Sequence, residues 1–270
     1  DTIDGLPLTK LGPNAFKDST NLKSVVVPET VTEFGAGAFN GCNQLVSVNV
    51  PEVVTAIGER AFFDCRRLSS ITIPDGIDTI KSRTFYASGL RTISLPDSIT
   101  TIGESAFADS QNLKQVVLPE NLTALANSVF SSCYSLKTIT IPVGVTVLKS
   151  STFNSCSSLT EVILHDGITQ IEYGVFRSCQ SLVDIQLPKN LTGAIDGDLF
   201  SNCTSLKSIE IPDGITQIGW GAFSSCTSLE LVSIGSGVTY IQGYAFGNCT
   251  SLTDIYFAGS APQIESNTFE

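Results

Sequence analysis

Phenylalanine returns along this chain every 22 to 24 residues, at twelve positions that include most of its 15 phenylalanines. The column consists of Phe16, Phe39, Phe62, Phe85, Phe107, Phe130, Phe153, Phe176, Phe200, Phe223, Phe246 and Phe269. Leucine follows most of these positions six residues later. A unit of about 23 residues cannot bury its own Phe, Leu and Ile side chains, so we predict that neighbouring units stack and share one continuous apolar core.

The repeated unit contains three pieces. Residues 68–73 alternate apolar and polar side chains and are rich in β-branched residues, which predicts a short strand. Proline follows this piece in eight units, and since proline has no N–H to donate, the strand is expected to end there. Residues 215–219 predict a second short extended segment. Residues 222–226 predict one helical or 3₁₀ turn, too short to be a helix by itself.

The composition narrows the possible functions. Hydrophobic residues make up 42% of the 270 residues, enough for a sizeable core, and the formal net charge is −11. No run of Lys or Arg interrupts this acidic balance, which argues against a nucleic acid or an anionic membrane as partner. No segment approaches the roughly 20 apolar residues that span a bilayer. One His and no Met nearly exclude histidine catalysis and histidine-based metal sites.

The pattern Leu-x-x-Ile-x-Ile-Pro-x-x-Val/Ile-Thr-x-Ile-Gly-x-x-Ala-Phe-x-x-Cys-x-x-Leu resembles the BspA-type leucine-rich repeat of bacterial and parasite surface proteins. The resemblance implies a leucine-rich repeat solenoid of about twelve coils, with a parallel β-sheet on the concave side and short strands or 3₁₀ turns opposite. It also implies export to the cell surface or extracellular space, binding of host proteins, and no catalytic residue or cofactor. We therefore expect residues 1–270 to form a single non-enzymatic domain, part of a longer surface protein.

All eight cysteines lie three residues after a column phenylalanine: Cys42, Cys65, Cys133, Cys156, Cys179, Cys203, Cys226 and Cys249. Equivalent positions point their side chains in parallel, which leaves the Cβ atoms further apart than the roughly 3.5–4.5 Å that a disulfide prefers. A linear ladder also lacks the converging ligands of a zinc site. We predict buried free thiols that pack as small hydrophobic groups, with pairwise disulfides as the alternative. Ser19 and Ser110 occupy the same position, as expected for a tolerant packing site.

The single histidine and the single tryptophan do not define a catalytic site. His165 lies at the position usually taken by proline, and a Ser-His-Asp triad would need Asp166 or Glu161 from the same coil, which is a poor geometry. Asp166 is more simply a turn residue. Trp220 is predicted to be partly exposed on the side opposite the sheet, either as surface packing or as a secondary contact point.

Function is expected on the strand side chains that face away from the core, at the second and fourth positions after the column leucine. These residues are small and hydroxylated in the first half of the chain, whereas from Glu161 onward they become acidic with isolated apolar residues. Glu161, Asp184, Glu210 and Asp254 are expected to form a discontinuous acidic column. The predicted ligand-binding residues of the concave face are Glu161, Ile163, Asp184, Gln186, Glu210, Leu231, Asp254 and Tyr256.

Two functions stay open. The first is a protein-binding module that adheres to a basic extracellular protein, and the second is a structural stalk or spacer that presents another domain. An acidic protein must also expose its carboxylates somewhere, so a merely solvated face is the alternative for the acidic residues. One carboxylate per coil does not supply the roughly six to eight oxygens that calcium takes, so no metal is expected. We expect a monomer that does not insert into a membrane.

Overall fold

The chain winds into a stack of coils in which two short strands alternate with a series of turns. The computed structural model describes residues 2–3 and 6–270, and these residues contain 23 strands and no helix. Strands β1 (Thr2–Ile3) and β2 (Leu6–Pro7) pair antiparallel, and the other described pairs are parallel. A parallel solenoid of leucine-rich repeat units is therefore confirmed.

Two sets of parallel strands run along the stack. The first set follows the column leucines and consists of β4 (Ser24–Val25), β6 (Ser47–Val48), β9 (Thr92–Ser94), β11 (Gln115–Val117), β13 (Thr138–Thr140), β15 (Glu161–Ile163), β18 (Ser208–Ile211), β20 (Leu231–Ile234) and β22 (Asp254–Phe257). The second set consists of β3 (Lys10–Leu11), β5 (Glu33–Phe34), β7 (Ala56–Ile57), β8 (Thr79–Ile80), β10 (Thr101–Ile102), β12 (Ala124–Leu125), β14 (Val147–Leu148), β16 (Gln170–Ile171), β17 (Gly193–Ile195), β19 (Ile215–Ile218), β21 (Tyr240–Ile241) and β23 (Gln263–Ile264).

The first set of strands is interrupted twice, at residues 69–73 and 183–187. The strand predicted for residues 68–73 is therefore wrong. Each gap lies at the start of a unit of unusual length, counted from its column leucine: the unit from Leu68 lacks one residue, and the unit from Leu182 has one more. Near the added residue, the pairing of β17 with β19 shifts register between Gly193 and Ala194. Because a change in length shifts the backbone between neighbouring coils, their N–H and C=O groups no longer meet in ladder register.

The phenylalanine column forms the centre of the core. Each neighbouring pair, from Phe16 with Phe39 to Phe246 with Phe269, is stacked, with ring centroids 5.2–5.8 Å apart and interplanar angles of 3–13°. The rings from Phe39 to Phe246 are buried, together with the column leucines between them. The predicted shared apolar core is thus confirmed.

The segment around each column phenylalanine is a run of β-turns, so the predicted helical or 3₁₀ turn is wrong. From Phe16 to Phe246, the residues two before and two after the phenylalanine have φ between 52 and 76°. Left-handed residues cannot continue a right-handed helix, and alternate N–H groups therefore point to the next coil. Phe39 N–H donates to the Ala61 carbonyl at 2.7 Å, whereas Cys42 N–H donates back to the Phe39 carbonyl at 3.1 Å.

Candidate functional site

The outward side chains of the first set of strands, together with the equivalent residues in the two gaps, form a surface that we call the strand face. It corresponds to the predicted concave face, and strand pairing arranges its side chains in two columns. All eight predicted site residues lie on it. Seven are exposed and Leu231 is half-buried. The first column contains Glu161, Asp184, Leu231 and Asp254, and the second contains Ile163, Gln186, Glu210 and Tyr256.

The four acidic residues were expected to form one column, but they lie in two. Glu210 lies opposite Ser233, which in turn lies opposite Tyr256, so Glu210 belongs to the second column. Asp254 lies opposite Leu231 in the first column. The separation follows from the alternation of side chains along a strand, because residues two apart on one strand occupy different columns of the same face. Only Glu161 and Asp184 are acidic residues of the first column in adjacent coils.

A groove of about 630 Å³ crosses the strand face over β11, β13 and β15. Three apolar side chains line it and are exposed: Val117 at 49%, Val143 at 76% and Ile163 at 50%. Glu120 and Glu161 line the same groove. Exposed apolar groups beside carboxylates form a surface that can bury an apolar side chain and attract a basic one.

Two of these apolar residues were not among the predicted site residues. Val117 is an outward strand residue, but it lies in the half of the chain whose outward residues were expected to be small and hydroxylated. Val143 follows Pro142, at a position where most other units carry a charged residue such as Glu120 or Asp213. An apolar residue at a position that is otherwise charged was the sequence signal for this groove.

The charges beside the groove differ from coil to coil. The residue after the column leucine is Lys114 or Lys137 in the two coils before Glu161, but it is Thr160 and Val183 in the coils of Glu161 and Asp184. Within the groove, the negative potential is therefore least compensated at the end nearest Glu161.

The cysteine ladder belongs to the packing of the coils. All eight cysteines are free, seven are buried and Cys249 is half-buried. In each coil the thiol donates to the main-chain carbonyl of the column phenylalanine one coil earlier, at 3.0–3.3 Å. Ser110 makes the same bond to Phe85, at 2.8 Å. Burial raises the pKa of the Cys156 and Cys203 thiols to about 12, as expected for buried groups rather than reactive ones.

His165 makes two hydrogen bonds with the backbone. The N–H of Gly167 donates to Nδ1 at 3.1 Å, so Nε2 carries the proton and donates to the Pro142 carbonyl at 3.0 Å. Asp166 accepts the N–H of Lys189 at 3.0 Å and is not oriented on the imidazole. His165 therefore fixes a turn. In the described part of the chain, no three His, Cys, Asp or Glu side chains come together as a metal site.

The repeat pattern and the fold define a class of protein. The BspA type leucine-rich repeat region matches residues 9–107, 78–195 and 192–270 in six copies. The chain belongs to the BspA-type leucine-rich repeat family. Proteins built from leucine-rich repeats are generally protein-interaction or surface modules and are typically non-catalytic.

Solved structures agree with this assignment. A leucine-rich repeat protein from Bacteroides ovatus superposes with a TM-score of 0.84 at 26% identity, covering 94% of this chain and 72% of its own. A leucine-rich cell surface protein from Faecalibacterium prausnitzii is 30% identical with a TM-score of 0.54, and covers 96% and 86%. None of the curated proteins matches this chain. Among the described residues there is no helix with the length and apolar character needed to cross a membrane.

Proposed function

We propose that this chain is a non-catalytic binding module of a cell-surface or secreted protein, and that it adheres to host or neighbouring-cell proteins through the strand face. The groove over β11, β13 and β15 carries the proposal. Interaction sites bring together exposed apolar side chains and complementary charge, and the groove has both. The cell-surface location named for the relative from Faecalibacterium prausnitzii supports the extracellular setting.

The partner is a protein segment with a bulky apolar residue next to a basic one. Val117, Val143 and Ile163 provide apolar walls that are in contact with water. Burying them against a partner would contribute most of the favourable free energy of binding. Glu161 provides a carboxylate at the less compensated end of the groove, with Asp184 one coil further. The remaining predicted residues, Gln186, Glu210, Leu231, Asp254 and Tyr256, extend the same face toward the last coils.

A library of random peptides displayed on phage tests the proposal against the immobilised folded chain. We expect selection of peptides that combine Lys or Arg with a large apolar residue. Ile163→Glu should lower capture of these peptides at least tenfold. Val53→Glu is the matched control, because Val53 is exposed to a similar degree, 47%, but lies several coils away. Equal capture by the two variants would contradict a site on the strand face.

A spacer function is the second candidate, and the first strands favour it. The outward residues Ser24, Ser47, Thr92 and Ser94 are exposed, small and hydroxylated, and apart from Val26 such a surface offers little to a partner. If the library yields no peptide whose binding depends on Ile163 or Glu161, the spacer becomes the better explanation of this repeat array.

A further inference from the structure

Three exposed aromatic side chains lie together on another side of the coils, where the second set of strands meets the turn segment. Tyr173, Trp220 and Tyr244 are exposed to 47%, 56% and 38%. The rings of Trp220 and Tyr244 meet edge to face, with centroids 5.9 Å apart. We call these three residues the aromatic platform. It lies apart from the strand face and from the groove.

Glycines frame the aromatic platform. Tyr173 and Trp220 occupy the same position in their units, and the units after them carry Gly197 and Gly243 there. A Cβ atom at Gly197 would lie 3.4 Å from Cε2 of Tyr173, which shows that the tyrosine ring lies against this glycine. The absence of a side chain thus lets the ring lie on the neighbouring coil while one side faces water. In earlier units the same position carries polar or small residues, such as Ser82.

Tyr244 has an unfavourable backbone conformation for its residue type. Its φ is 55°, and the equivalent left-handed positions in the other coils carry Asn, Gly, Arg, Ser or Asp. A bulky residue is uncommon in this region, because its side chain crowds the backbone. Strained residues of this kind concentrate at functional sites, where the side chain is needed for something other than stability. Tyr244 is therefore an independent sign that the platform has a function.

Polar groups surround the rings and pair with one another, while Arg177 and Gln242 keep side-chain N–H groups beyond these bonds. The Tyr173 hydroxyl donates to Oδ2 of Asp198 at 2.5 Å, and Nη1 of Arg177 donates to the same oxygen at 3.1 Å. The main-chain N–H of Trp220 donates to Oε1 of Gln242 at 2.7 Å. The carboxylate of Asp198 is thus balanced by a guanidinium. The surroundings of the platform offer hydrogen-bonding groups more than uncompensated charge.

We propose that the aromatic platform binds carbohydrate in the form of an extended glycan chain. A pyranose ring has a flat face of C–H groups that stacks on an exposed aromatic ring, and its hydroxyls need the donors and acceptors that surround this platform. The coils repeat every ~4.8 Å, which is close to the length of one sugar unit in an extended chain. Tyr173 and Trp220 lie two coils apart, and Tyr244 lies in the coil after Trp220, so the rings can meet the first, third and fourth sugars of such a chain. This site goes beyond the proposed protein binding, since it uses a different surface.

Trp220 is the single tryptophan, so its fluorescence reports on the platform directly. The probes are four soluble linear polysaccharides (xylan, mixed-linkage β-glucan, galactomannan and amylose), each titrated into the full chain and also cast into native gels. We expect at least one to retard the protein and to shift the tryptophan emission to shorter wavelength. Trp220→Ala should abolish the retardation, and Tyr244→Ser should weaken binding at least fivefold while the melting temperature stays equal or rises.

Tyr134→Ala, which removes another exposed tyrosine, and Ile163→Glu on the strand face should both bind as the unchanged protein does. The proposal is overturned if no polysaccharide of the panel causes retardation, or if Trp220→Ala and Tyr134→Ala reduce it equally. It is also overturned if octalysine, and no polysaccharide, shifts the emission, because the platform would then be a site for a basic protein. Since Ile163→Glu separates the two surfaces, failure of this site leaves the strand-face proposal standing.

Discussion

The thiol of Cys156 donates a hydrogen bond to the main-chain carbonyl oxygen of Phe130, one coil earlier, at 3.2 Å. The same oxygen accepts the N–H of Cys133 within its own coil, at 3.1 Å. The ring of Phe130 in turn stacks on that of Phe153 at 5.7 Å. Eight column phenylalanines therefore join two coils twice, through the ring and through the carbonyl, and the cysteine column supplies the second connection.

The burial of this ladder predicts how its thiols react. In the native protein, iodoacetamide should modify Cys249 first, because Cys249 is half-buried and the other seven cysteines are buried. In denaturant, all eight should react without any reductant. Mass spectrometry of the labelled protein measures both states, and Cys249→Ser should remove the early native label. A requirement for reductant in denaturant would establish disulfides and contradict the free-thiol ladder.

The same thiols make stability depend on alkaline pH. Burial raises the pKa of Cys156 to about 12 and that of Cys249 to about 11, from an ordinary value of 9.0. Above pH 9 the thiols of the unfolded chain lose protons that the folded chain keeps, so the free energy of unfolding falls as pH rises. Each buried thiol contributes a slope of about 1.4 kcal/mol per pH unit in this window.

Urea unfolding at pH values from 8 to 11 measures this dependence. Cys156→Ala should reduce the slope by the share of one thiol, whereas the stability lost at pH 8 reflects packing and the missing hydrogen bond to Phe130. Cys156→Ser is the matched variant, because Ser110 already makes the same bond two coils earlier. An unchanged slope in Cys156→Ala would mean that the thiol does not titrate with unfolding.

The stacked ring of Phe130 should contribute far more to the free energy of unfolding than an exposed ring does. Phe130→Ala removes a fully buried side chain in the middle of the array, and we expect a loss of about 3–5 kcal/mol in the free energy of unfolding. Because each coil contacts only its neighbours, the loss should also weaken the coils on either side. Thermal and urea unfolding measure the effect. Phe257→Ala is the control, since Phe257 is 40% exposed, and an equal loss from both would contradict the stacked core.

The core was predictable from the sequence because the repeat carries it directly. The buried phenylalanines of the column recur every 22 to 24 residues, and stacking is the way in which such units exclude water. The turns were not predicted, although the signal was present: Asn14, Gly37 and Ser105 occupy positions with positive φ, where small and polar residues are favoured. The predicted helical turn rested on the apolar residues of Ala-Phe-x-x-Cys, whereas the residues with positive φ determine the backbone conformation.

The strand interruptions could not be read from one unit. Residues 68–73 have the composition of a strand, yet pairing requires that the next coil hold its backbone in register, and the shortened unit at Gly89 changes that register. The candidate site, too, could be predicted only in part. Glu161 and Ile163 were predicted from alternation along a strand, whereas Val143 joins them only through the way neighbouring coils stack.

Charge on the strand face should set the rate at which a basic partner associates. Glu161, Asp184 and Glu210 are exposed and lie within neighbouring coils, so their fields add and attract a positive segment before contact. Reversal of all three to Lys should slow association of the phage-selected basic peptides about tenfold or more at low salt, and the difference should shrink as salt screens the charges. Stopped-flow fluorescence with a labelled peptide measures the rate.

The matched control reverses Glu59, Asp78 and Glu104, which changes the net charge by the same amount at exposed positions away from the strand face. Both variants should melt like the unchanged protein, because surface ion pairs such as that of Arg83 with Glu104 contribute little to stability. If the two variants slow association equally, net charge alone attracts the peptide. The strand face would then not be the binding surface, and the spacer function would explain the array better.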